Sequence, residues 1–97
     1  MINNPTAEIL KRLLNKARMV TCANKDERGI ITHIGNPKEH WSPRSRQDAV
    51  NDINSGVKYI VKSESGDVEV HVYNERFLRT ERDGKPTNNL DNLPSCP

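Results

Sequence analysis

The sequence predicts an α+β fold: a small antiparallel meander sheet of four to five short strands with one helix packed on a face, plus an N-terminal amphipathic helix. Three observations lead there. Apolar residues recur at helical spacing over Ile9, Leu10, Leu13, Leu14 and Ala17, and again over Ala49, Val50 and Ile53. Val68, Val70 and Val72 alternate with Glu69, His71 and Tyr73, the period of a strand with one face on a core and one in water. At 97 residues and 11.0 kDa there is room for a single modest core. The expected division is a helix over residues 1–18 and one domain over residues 19–97.

Each element has a local reason. Asn4-Pro5-Thr6 starts the first helix, over about residues 6–18, with Pro5 at the first helical position or Thr6 as cap. Its other face carries Lys11, Arg12, Asn15, Lys16 and Arg18; a basic amphipathic helix of this kind closes a core more often than it lies on a membrane or a nucleic acid. Met19–Lys25 and the β-branched run Ile30–Ile34 read as a hairpin around the turn residues Asp26–Gly29. Residues 35–43 have no period and two prolines, so they form a loop, and Trp41 within it is expected to plug the edge of the core. Ser45-Arg46-Gln47-Asp48 resembles a capping box with Asp in the usual Glu place, which starts a second helix over about 46–55 that Gly56 ends. Lys58–Ser63, Val68–Tyr73 and Arg76–Thr80 are three further strands separated by turn residues. In Asn88–Pro97, Leu90 and Leu93 stand one helical turn apart, so the terminus is expected to be ordered and packed, with Cys96 half-buried and reduced.

In order along the chain, Ile31-Thr32-His33-Ile34-Gly35, a short Asp-containing helix, Phe77-Leu78-Arg79-Thr80 with Asp83-Gly84, and Asn88-Asn89-Leu90, Leu93-Pro94 and Cys96 resemble a family of small bacterial proteins grouped as a domain of unknown function. The resemblance covers residues 30–97. Phe77 stands where that pattern has a tyrosine, which removes a phenolic hydroxyl at the position. The resemblance implies the fold and brings no activity with it.

Composition narrows the function classes. The formal net charge is +2, but residues 1–48 hold nine Lys/Arg against five Asp/Glu, while residues 49–97 hold six against eight. So mild an asymmetry is more often a solvated basic face than a polyanion site. No apolar run approaches the roughly 18 residues of a membrane span, and charges alternate with leucines at the N-terminus, so a cytoplasmic protein with no membrane role is expected. In that compartment Cys22 and Cys96 are most simply free thiols, with a disulfide between them left open. No GxGxxG or phosphate-loop spacing occurs, and no GxSxG turn, so nucleotide and acyl-transfer chemistry lack support. The end of the chain is similar to the close of an HNH nuclease motif, but that motif wants a second Cys and a His just beyond, and the nuclease reading is rejected.

Candidate chemistry is sparse. His33, Arg79 and Asp83 offer a base, an anion clamp and a carboxylate, to be weighed against a satisfied strand histidine, a paired arginine and a turn residue. His33, His40, His71, Cys22 and Cys96 have no pair at the spacing that pre-assembles a zinc site, so no metal and no cofactor is expected. Lys38, His40, Trp41, Arg44 and Arg46 interleave basic residues with an aromatic beside a helix start, the composition that holds single-stranded nucleic acid unless Trp41 is buried. The ranking is a non-enzymatic binding or accessory module acting on a protein partner, then nucleic-acid binding through the Trp41 loop, then a small enzyme using His33, Arg79 and Asp83. The N-terminal helix, with its apolar stripe, is also a candidate surface for a homodimer.

Overall fold

A computed structural model describes residues 17–97, and the helix expected over residues 6–18 lies almost wholly outside them. Its last residue, Arg18, belongs instead to a strand. Eight strands and one helix follow: β1 (Arg18–Met19), β2 (Cys22–Lys25), β3 (Ile31–Gly35), β4 (Arg44–Ser45), α1 (Arg46–Asn54), β5 (Tyr59–Ser63), β6 (Gly66–Tyr73), β7 (Phe77–Arg82) and β8 (Lys85–Thr87). They form two sheets, β1-β5-β6-β7-β8 and β2-β3-β4, where the sequence predicts one meander.

The correction turns on two adjacent residues. The Val20 amide donates to the Ile60 carbonyl at 2.8 Å, extending the parallel pair of β1 and β5, whereas the Thr21 amide donates to Gly35 at 2.8 Å, on the other sheet. Successive backbone groups of an extended chain point to opposite sides. The single strand predicted over Met19–Lys25 therefore serves both sheets, half on each.

The predicted meander survives as β5 to β8, all antiparallel. Between β7 and β8, Asp83 (φ 52°) and Gly84 (φ 76°) make a two-residue turn with both φ values positive, the hairpin geometry for which Asp-Gly is preferred. Helix α1 starts where Ser45 Oγ accepts the Asp48 amide at 3.1 Å, and it packs between the sheets, touching β3 and β4 on one side and β6 and β7 on the other. Its buried Ala49 and Val50 join Val20, Ile34, Tyr59, Val61, Val70, Leu78 and Leu90 in one core. The hydrophobic effect of that shared core is what holds the two sheets together.

The terminus is packed, as expected. Leu90 is buried, and the Asn92 amide donates to Asn88 across a single turn at 3.1 Å. Cys96 is half-buried but it is not reduced: it is joined to Cys22 in a disulfide, with a Cα separation of 4.9 Å. The sequence separation of 74 between the two cysteines hides this pairing from any local spacing rule. Gly35 makes room for it, because a Cβ there would stand 3.1 Å from both sulfurs and 2.5 Å from Ser42 Oγ.

Candidate functional site

Within the predicted basic loop, Trp41 and Arg44 are engaged with the fold. Trp41 is half-buried against the core, its ring edge-on to Tyr59 at 5.5 Å. The buried Tyr59 hydroxyl donates to Asp52 Oδ2 at 2.6 Å and accepts from Arg18 Nη1 at 2.9 Å. Arg44 closes on the same carboxylate with two parallel bonds, Nε to Oδ2 at 3.0 Å and Nη2 to Oδ1 at 2.8 Å. Burial works against the Arg44 charge, but the bond to Asp52 and its charge more than restore it, and the net pKa is raised. The Tyr59 pKa is raised as well, first by burial and then by the bond to Asp52. The Arg18 guanidinium lies 5.6 Å from the centres of both the Trp41 and Tyr59 rings. This cluster ties β1, the loop, α1 and β5 together and holds Trp41 half-buried against the core. Lys38 and His40 stand exposed in the turn beyond.

The structure also separates the predicted catalytic residues. His33 is exposed on β3, its ring Nδ1 3.1 Å from Thr32 Oγ1 and its strand neighbours Asn24 and Ser45. Arg79 is on β7 in the other sheet, opposite His71, and its Nε donates to Glu81 at 2.8 Å. Asp83 occupies the hairpin turn. No hydrogen bond or ion pair among the described residues links His33 to either of the others.

A different set comes together on the outward face of the β6–β7 hairpin. Tyr73 and Phe77 are cross-strand neighbours with ring centres 5.4 Å apart. Arg46, arriving from the start of α1, lies 5.4 Å from the Phe77 ring centre, and Arg76 lies 5.7 Å from it. Arg79 lies 4.7 Å from the Tyr73 ring centre. A guanidinium stacked on a ring uses its flat face, so its N–H edge still points outward and can take a carboxylate in two parallel bonds. Arg76 is exposed; among the described residues Arg46 makes one long 3.4 Å bond to the Ile31 carbonyl, and Arg79 already gives its Nε to Glu81. Further along the same face carboxylates gather: Glu69 pairs across the strands with Glu81, itself ion-paired to Arg79, and together with Asp67, His71, Asp83 and one cation, Arg82, they line a shallow cavity of about 500 Å³.

A family model described as "Protein of unknown function (DUF3892)" matches residues 19–94. The chain belongs to that family. No curated protein and no solved structure matches it. The matched DUF3892 segment contains the whole arginine–aromatic set on α1, β6 and β7, and Cys22 of the disulfide, while Cys96 lies just beyond it.

The sequence singles out Arg46 and Arg79 in the DUF3892 domain but in different groupings, and leaves out Tyr73, Arg76 and Phe77, for a physical reason. The β6 alternation already sends Tyr73 outward, and the turn after it sends Phe77 to the same face once the register is known. Arg46 gives no such signal, since only the packing of α1 against β7 carries it to Phe77, 31 positions on.

Proposed function

We propose that this DUF3892 domain is a non-enzymatic binding module whose ligand is a short extended protein segment, acidic at one end and basic at the other. The observation that carries the reading is the cluster of Arg46, Arg76 and Arg79 stacked on Tyr73 and Phe77, because aromatic rings and arginines are the residues that dominate protein interfaces. The carboxylates further along the face set the polarity of the ligand. The four-residue rise from Tyr73 to Glu69 spans roughly 13 Å, so an extended segment of about four residues reaches from the arginine end to the carboxylate end. A uniform polyanion meets Glu69 and Glu81 after its first contacts, which weighs against nucleic acid. In the Trp41 loop Arg44 is held by Asp52, which takes one cation away from that alternative.

The reading is tested by fluorescence anisotropy with three labelled probes: a peptide of acidic-then-basic sequence, the same composition scrambled, and a single-stranded oligonucleotide. The patterned peptide is expected to bind best, and Arg76→Ala combined with Arg79→Ala to weaken it by about tenfold or more. Tighter binding of the oligonucleotide, falling steeply with salt, would favour the nucleic-acid alternative. Equal binding of the patterned and scrambled peptides, or none, contradicts the proposal.

A further inference from the structure

We infer that the last residues of the chain are a redox-releasable strap over the free edge of β2, an inference that stands apart from the binding reading above. Among the described residues, β2 in the sheet β2-β3-β4 has a strand neighbour, β3, on one side only. A free strand edge presents unpaired amides and carbonyls, and proteins cover such edges. Here the chain covers its own: the Ala23 amide donates to the Pro94 carbonyl at 2.9 Å, and the Asn24 side-chain oxygen accepts the Cys96 amide at 2.8 Å. The Lys25 ammonium also reaches the Asp91 carbonyl.

What holds the strap changes along its length. Leu90 and half-buried Leu93 anchor its root in the core, but Pro94, Ser95 and Pro97 are exposed. Beyond Leu93 the tail makes, with the described residues, one backbone–backbone hydrogen bond, one from the Cys96 amide to a side chain, and one covalent link, Cys22–Cys96. Hydrogen bonds at a wet edge exchange readily with water, so the disulfide is the tie that keeps this segment in place.

The two sulfurs differ in access, since Cys22 is 3% exposed while Cys96 is half-buried. A dithiol reductant therefore reaches Cys96 first. Its thiolate attacks Cys96 Sγ, the Cys22–Cys96 bond breaks, and Cys22 leaves as a thiolate that takes a proton. The second thiol of the reductant then attacks its own bound sulfur and releases Cys96. The protein gains two electrons and two protons, and the reductant becomes a cyclic disulfide. Reducing compartments such as the cytoplasm expected from the sequence favour this opened state, and oxidising ones the closed strap. The opened state bares the Ala23 and Asn24 edge.

Amide exchange on the full chain, with and without dithiothreitol, tests the inference. Protein purified without reductant should show no free thiol on alkylation under denaturing conditions. With dithiothreitol it should show two, and the Ala23 and Cys96 amides should exchange about tenfold faster or more while Val61 and Val70 keep their protection. Reoxidation should restore the slow exchange, and Cys96→Ser should exchange fast without reductant. Two free thiols before reduction, unchanged Ala23 exchange after it, or loss of protection at Val70 together with Ala23 would each overturn the strap. The last outcome would make the disulfide a staple of the whole fold.

Discussion

Asp52 is the residue on which most of the polar structure converges. One carboxylate takes two bonds from Arg44 and one from the Tyr59 hydroxyl, and lies 3.7 Å from Arg18. Deleting one partner of such a cluster costs more than deleting a neutral bond, because the other charges lose their counter-ion. In urea unfolding, Asp52→Ala is therefore expected to lose about 2–4 kcal/mol, and Tyr59→Phe only about 1 kcal/mol. Equal losses would show that the cluster is not centred on Asp52. The raised Tyr59 pKa also fixes a pH dependence. Below the ordinary tyrosine value of 10.0 the group is protonated in both folded and unfolded chains, and its contribution is complete. As pH rises past that value the unfolded chain ionises first, so stability falls until the pH passes the raised folded value. Tyr59→Phe should flatten this alkaline slope, measured as unfolding midpoint against pH.

At the scale of elements, what was legible in the sequence is what is local. Helix α1 announces itself through Ser45, Asp48 and the Ala49, Val50 and Ile53 stripe, and Ser45→Ala is expected to cost about 1 kcal/mol by leaving the Asp48 amide without its cap. A thermal midpoint unchanged in that variant would contradict the cap. The β6 alternation was legible in the same way, and so was the β2–β3 hairpin. Strands β1 and β4 have two residues each, too few to show any period. Strand β8 was not expected: Asp83 reads as a turn residue and Lys85-Pro86-Thr87 as loop, and the proline is accommodated because β8 lies on a sheet edge. The arginine–aromatic site was half legible: β6 and β7 place Tyr73, Phe77 and Arg79 by register, whereas Arg46 depends on how the helix packs.

For the whole molecule, the two sheets share one core, and that arrangement leaves two surfaces with different chemistry. The covered edge of β2 is closed by the chain's own tail. The outward face of β6 and β7 is left uncovered by the described residues, arginine and aromatic at the hairpin end and carboxylate further along. Neither surface involves His33, and Trp41, from the loop that carries Lys38 and His40, packs on the core. Binding through the open face is the central claim, and the most direct measurement is chemical-shift mapping of the isotope-labelled chain titrated with the acidic-then-basic peptide. The account predicts that the perturbed residues cluster at Arg46, Tyr73, Arg76, Phe77 and Arg79, with weaker changes at Glu69 and Glu81. Perturbation centred on Lys38–Trp41, or none at the hairpin at saturating peptide, would contradict it.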